Sequence, residues 1–194
     1  MAQTVCPDCF RPEGWSPDGR KLLLGWPLAN QGEISEFDLA GRQRTVLVKF
    51  ARRDVASPRY SPDGKWISFM ERTSPQTRQI WVAPLGEAEL PIPPSRWIAI
   101  TDNTAMDREA RWSEDGSALY FTSNRDGFQC LWAQRLDPST KRPAGSAAPL
   151  HHFHSALLRL TLTDSGQFGL SVGAGRMVIS LGAATGNIWL MRQP

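Results

Sequence analysis

The sequence predicts an all-β protein, a β-propeller of four-stranded antiparallel blades, with about four blades in this chain. Three observations predict it. An aromatic followed by a tight turn recurs three times, strand-like runs follow each turn at matching offsets, and 15 Pro and 16 Gly at turn spacing would break long helices. A repeat period near 40–50 residues is the signature of propellers and arrays.

The repeated turn reads Trp15-Ser16-Pro17-Asp18-Gly19, Tyr60-Ser61-Pro62-Asp63-Gly64 and Trp112-Ser113-Glu114-Asp115-Gly116. Ser16 to Ser61 is 45 residues, and Ser61 to Ser113 is 52. The chemistry of the turn is local. Ser bonds the backbone ahead, Pro presets φ near −65°, Asp suits the next position, and Gly takes the left-handed one. A type I turn followed by such a glycine joins two antiparallel strands.

Residues 20–26 (RKLLLGW), 65–70 (KWISFM) and 117–122 (SALYFT) follow the turns and are rich in aliphatic, aromatic and β-branched side chains. A second anchor lies 15 or 16 residues after each turn glycine, at Ile34, Ile80-Trp81 and Leu131-Trp132, inside runs 33–39, 78–85 and 128–136. Short apolar runs at 45–50 and 97–101 add a further strand to the first two units. The Pro/Ala/Ser-rich stretch 137–150 reads as an extended loop.

The fourth unit has two registers. A turn at Thr163-Asp164-Ser165-Gly166 stands too far ahead of Ile188-Trp189, whereas Gly175 of Ala174-Gly175-Arg176 stands 13 residues before Ile188. The second register is preferred, with strands at 168–172, 177–181 and 187–192; residues 157–163 become the outer strand of blade 3 or a connecting strand. The expected organisation is one propeller domain over 1–194, with blades near 10–50, 56–101, 109–163 and 167–194. The last blade ends after three strands, so another segment would supply its fourth.

Bulk properties narrow the function classes. The net charge of +3 comes from 18 Arg and 4 Lys scattered along the chain, which predicts no nucleic-acid stripe. No run approaches 18 apolar residues, so no membrane span is expected. Residues 1–10 show neither a basic n-region nor an apolar h-region, although export of a parent protein leaves the compartment open. Three cysteines do not make a disulfide scaffold.

The aromatic-SPDG turns, the Ser123-Asn124-Arg125-Asp126-Gly127 hairpin and the Ile-Trp strands resemble the WD40-like (PD40) repeat of TolB-type propellers. The resemblance covers nearly the whole chain. Two further stretches, Cys6-Pro7-Asp8-Cys9 ahead of Gly14-Trp15 and Gly186-Asn187-Ile188-Trp189-Leu190, resemble a narrower group. These are propellers that soil bacteria fuse to winged-helix DNA-binding or serine/threonine kinase domains. The resemblance implies a sensing or interaction module that binds a protein or peptide. Rings of this type hold six or seven blades, which implies a larger ring; a closed four-blade ring and an association of two copies are the alternatives.

No catalytic residues and no cofactor are predicted. The nucleophile elbow of peptidase partners, phosphate-binding glycine loops, HExxH and EF-hand spacings are all missing from the sequence. Glu114-Asp115 belongs to a turn. Cys6 and Cys9 with His151, His152 and His154 could be imagined as a Cys₂His₂ zinc set, but the long gap has no signature value, so no metal site is predicted. The alternatives are a surface dithiol or local disulfide for Cys6 and Cys9, and loop histidines for the rest. Cys130, beside Leu131 and Trp132, reads as a small core residue.

Trp15, Trp66, Trp81, Trp112, Trp132 and Trp189 occupy fixed places in the repeat, so inter-blade packing is expected of them; Trp26 and Trp97 fall outside those places. Arg59 and Arg111 are the candidate partner-binding residues. Each precedes the blade aromatic on the innermost strand, so alternation sends it to the opposite sheet face, toward the channel mouth. Solvated or ion-paired arginine is the competing reading. Four blades that stay open would leave aromatic faces and strand edges uncovered, which predicts self-association.

Overall fold

The computed structural model describes all residues except 1–3, 7–8, 10, 29–30, 52–53, 87–88, 156–157, 161–168 and 184–194. It is all-β apart from one short helical turn, Pro94–Arg96. No helix among the described residues is long and apolar enough to cross a membrane.

Three four-stranded antiparallel sheets follow one another along the chain. The first is β1 (Pro12–Trp15), β2 (Lys21–Leu28), β3 (Gln31–Asp38) and β4 (Gln43–Ala51). The second is β5 (Asp54–Tyr60), β6 (Trp66–Arg72), β7 (Arg78–Pro84) and β8 (Ile98–Ala99). The third is β9 (Arg108–Trp112), β10 (Ala118–Ser123), β11 (Cys130–Arg135) and β12 (Ala148–His151). Spatial order matches chain order in each, which is the meander of a propeller blade.

The three turns between the first and second strands are near copies. Ser16, Ser61 and Ser113 each donate Oγ to the turn aspartate, at 2.6, 2.5 and 2.6 Å, and each Oγ accepts the amide five residues on. The turn amides of Gly19, Gly64 and Gly116 close on the serine carbonyls, with φ of 69°, 69° and 67°. Those angles cost glycine nothing and would strain any other residue.

Blade 2 is buried on both faces by strand alternation. Ile67, Phe69, Trp81 and Ala83 pack against Leu23, Ile34 and Val48 of blade 1. Ile80 and Val82, with Trp66 alongside, pack against Trp112, Leu119, Phe121 and Trp132 of blade 3. Each fully buried aliphatic or aromatic side chain contributes about 1.5–3 kcal/mol of transfer free energy. Trp97, whose place the repeat left open, is buried in the first interface. It stacks edge-on to Phe69 and Trp81, and its indole N–H donates to the Ile92 carbonyl at 3.1 Å.

Trp15 departs from expectation, being 60% exposed. Tyr60 and Trp112 occupy the same repeat position, and each leans on the preceding blade. Tyr60 Oη donates to Glu36, and Trp112 Nε1 donates to the Arg59 carbonyl. Trp15, on the first described blade, makes no such contact with another described blade. Trp189 lies outside the described residues, and the side chain of Trp26 is not described.

The region read as an extended loop, 137–150, holds the start of β12, which pairs with β11 as the outer strand of blade 3. Its first part is a tight turn in which Asp137 accepts the amides and hydroxyls of Ser139 and Thr140. Residues 157–163 were expected as the outer strand of blade 3 or as a connecting strand; β12 takes the outer place, and β13 (Leu158–Leu160) pairs with β16 (Leu181–Ala183). The hairpin turn expected at Ala174-Gly175 is present, joining β14 (Ser171–Gly173) to β15 (Arg176–Val178) with φ of 50° and 67°. Both values are positive, as a two-residue type I′ turn requires. The run expected as a single strand over 177–181 is divided between β15 and β16. Residues 187–192 lie outside the described residues.

Candidate functional site

Strands β1, β5 and β9 form one edge of their sheets, and each is interrupted by a bulge. Pairing shifts between Pro12 and Gly14 in β1, between Ala56 and Arg59 in β5, and opposite Tyr120 and Thr122 in β9. A left-handed non-glycine residue marks each place: Arg11 (φ 51°), Ser57 (φ 53°) and Glu109 (φ 56°). Such bulges re-aim side chains, and such backbone persists only where its surroundings enforce it.

The bulges turn carboxylates inward to meet the two arginines. Arg59 Nη1 lies 3.0 Å from Glu13 Oε2 and also donates to the Pro58 carbonyl, while Arg11 Nε lies 2.9 Å from Glu13 Oε1. Arg111 Nη2 lies 3.0 Å from Glu109 Oε2, and Nη1 donates to the Ala110 carbonyl. Both carboxylates are almost wholly buried, and the two arginine side chains are 19% and 13% exposed. Burial, then repulsion from Arg59, brings the Arg111 guanidinium down to about 10. The arginines are therefore ion-paired within the fold and face one cleft.

That cleft has a volume of about 410 Å³ and lies between the Trp15, Tyr60 and Trp112 turns, with Arg59, Arg111, Glu114 and Val172 in its wall. Exposed Trp15 forms its rim. A second hollow of about 480 Å³ lies between the turns of blades 1 and 2, around Lys21, Glu36 and Tyr60. Three of its polar groups pair with one another: Lys21 Nζ lies 2.7 Å from Glu36, which also accepts Tyr60 Oη. Burial and the adjacent Glu36 push the Tyr60 phenol far up, so it serves as a donor. The Arg59/Arg111 cleft differs in having an exposed indole on its rim and two ion-paired guanidinium groups in its wall.

Glu13 and Glu109, the partners of the arginines, were not singled out in the sequence, because the bulges that aim them break the simple alternation rule. Glu114 does lie in a turn, where its carboxylate accepts the Gly175 amide at 2.9 Å. Cys6 and Cys9 form a disulfide, which removes both as metal ligands. His152 and His154 gather with Asp126 and Cys130 at the far end of blade 3, and His151 stacks on Phe153 instead.

Neither a family model nor a curated protein matches this sequence. Solved structures do. A TolB from Acinetobacter baumannii superposes with a TM-score of 0.61 at 24% identity, over 90% of this chain and 40% of its own. A putative TolB from Agrobacterium tumefaciens gives 0.56 at 23% identity, over 72% and 48%. A puromycin-hydrolyzing peptidase from Mycobacterium tuberculosis gives 0.65 at 18% identity, over 92% and 29%. The chain thus spans less than half the length of each of these proteins. At these identities the likeness is one of fold: part of a β-propeller.

Proposed function

We propose that this chain is a non-catalytic propeller module that binds a protein or peptide segment in the Arg59/Arg111 cleft, as part of a larger bacterial regulatory or TolB-like protein. The observation that carries the reading is Trp15, 60% exposed on the rim of a concave site walled by two guanidinium groups. Interfaces are anchored by Trp and Arg more than by other residues, and a large exposed indole is costly unless something covers it. The Cys6–Cys9 and Gly186–Leu190 stretches resemble propellers fused to winged-helix or kinase domains, and they support placing the output in such a domain.

The test is selection of peptides from a random library on this chain, followed by affinity measurement with Trp15→Ala. Because Trp15 is exposed, its removal leaves the fold intact, and affinity should fall at least about tenfold, a hot-spot loss of about 1.4 kcal/mol or more. Unchanged affinity, or cleavage of the bound peptide by the purified chain, refutes the reading.

A second reading has its own support: the likeness to a peptidase over 92% of this chain is compatible with a propeller that gates a hydrolase. A hydrolase domain in the parent reading frame would favour it. An export signal there would favour a periplasmic scaffold. Self-association through the uncovered Trp15 side is part of the proposal. Light scattering should then give a mass above that of a monomer, falling toward it with Trp15→Lys.

A further inference from the structure

Blade 3 brings four metal-ligating side chains to one point, from three separate pieces of chain. Asp126 sits in the turn between β10 and β11, which closes with the Gly127 amide on the Asn124 carbonyl at 2.9 Å. Cys130 opens β11. The register Leu131↔His151 sets the residues just past β12 beside Cys130, which delivers His152 and His154. One ligand atom from each of the four lies within 4.8 Å of all the others. Nδ1 of His152 and Nε2 of His154 converge on the same carboxylate oxygen of Asp126, at 2.7 and 3.0 Å.

We propose that Asp126, Cys130, His152 and His154 form a four-ligand zinc site that fastens the chain leaving blade 3 to the β10–β11 turn. The donor set selects the metal. One thiolate and two imidazoles suit a borderline-soft ion in tetrahedral geometry, whereas calcium and magnesium take oxygen ligands. Zinc bond lengths imply ligand-to-ligand edges of about 3.3 Å between N and O donors and about 3.6 Å to sulfur. The imidazoles would thus back away from the carboxylate by about half an ångström, and the widest pair would close by about one. The two histidines are about 45% and 43% exposed, so their rings have the room.

The surroundings hold the ligands in place. The Phe153 amide donates to Cys130 Sγ at 3.3 Å, which stabilises a thiolate. Phe128 lies against the His154 ring at 4.6 Å, and Trp132 stands edge-on to His152 at 6.0 Å, so both imidazoles are steered. Binding moves the Cys130 proton to solvent and leaves all four positions filled by protein, as in structural rather than catalytic zinc sites.

The experiment uses the metal-stripped full chain, free of any tag and with Cys6–Cys9 oxidised. Equilibrium dialysis with elemental analysis should give one zinc per chain, and cobalt(II) should show a thiolate charge-transfer band with intense tetrahedral d–d bands. Cys130→Ser should abolish the charge-transfer band. His152→Ala/His154→Ala, at exposed positions, should weaken zinc binding at least about 100-fold, the upper end of what an outer-shell loss costs. Cys6→Ser/Cys9→Ser should change neither. A cobalt spectrum without the thiolate band, zinc bound equally well by the double-histidine variant, or no stoichiometric zinc at all overturns the proposal. None of these readouts depends on what the Arg59/Arg111 cleft binds.

Discussion

Ser61→Ala tests how far the repeated turn holds the blades together. Ser61 is 1% exposed, and its hydroxyl has two jobs. It donates to Asp63 Oδ1 at 2.5 Å and accepts the Trp66 amide at 3.0 Å. A hydrogen bond to a charged acceptor is worth about 1.5–3 kcal/mol, but Asp63 is exposed and water recovers much of that. The Trp66 amide is the larger loss, because an orphaned buried N–H costs about 1–3 kcal/mol. The new methyl group offsets less than about 1 kcal/mol. The net is about 2–3 kcal/mol of destabilisation, or about 5–10 °C in Tm for a chain of this size. Urea unfolding should show a lower midpoint at unchanged m. Ser139→Ala is the control. Ser139 Oγ also donates to an aspartate, at 2.7 Å, but in an exposed turn with no strand amide to satisfy. If Ser61→Ala costs no more than Ser139→Ala, the turn is a consequence of the blade and not a determinant of it.

Three further outcomes follow from the geometry. Trp97→Ala should cost about 3–5 kcal/mol in the same assay, since it removes a buried indole packed on Phe69 and Trp81 between blades 1 and 2. Arg111→Ala should cost about 3 kcal/mol by stranding the buried Glu109 carboxylate, and adding Glu109→Ala should restore part of it; additive losses in the cycle would count against the pair. Acid should destabilise the chain through its turn aspartates. Hydrogen bonds from Ser113 and from the Ser117 amide and hydroxyl hold Asp115 at about 2, those of Thr140 and Ser139 hold Asp137 at about 2, and Asp18 and Asp63 are also lowered. Their folded values lie below the unfolded value of about 3.9, so the contribution is full above that pH and is lost as pH falls from about 4 toward 2. Circular dichroism across that range, with Asp115→Asn flattening the slope, checks it.

What the sequence made legible is what a few adjacent residues decide. The Ser-Pro-Asp-Gly turns, the strands that follow them and the Ala174-Gly175 hairpin are set by local φ preferences and alternation. The fate of Trp15 is not local. The repeat assigns it the same place as Tyr60 and Trp112, yet burial at that place is supplied by the preceding blade, which no residue near Trp15 encodes. β12 escaped notice for a related reason: Pro149 and the Ala-rich run before it carry little strand preference, and the pairing with β11 overrides that.

The two candidate sites were hidden by the same physics in different forms. Arg59 and Arg111 were visible through their place beside the aromatics, but Glu13 and Glu109 were not. Positive φ at a glutamate and at a serine has no sequence signal, and a single bulge reverses which face every later residue occupies. The Asp126, Cys130, His152 and His154 cluster depends on a strand register across more than twenty residues of intervening chain. Once β12 is taken for loop, the histidines have no address and the cysteine reads only as core. A propeller repeats its scaffold, so its repeat exposes the scaffold to sequence reading. Departures from the repeat, such as an exposed indole or a histidine pair that blades 1 and 2 lack, become readable only after the strands have been paired.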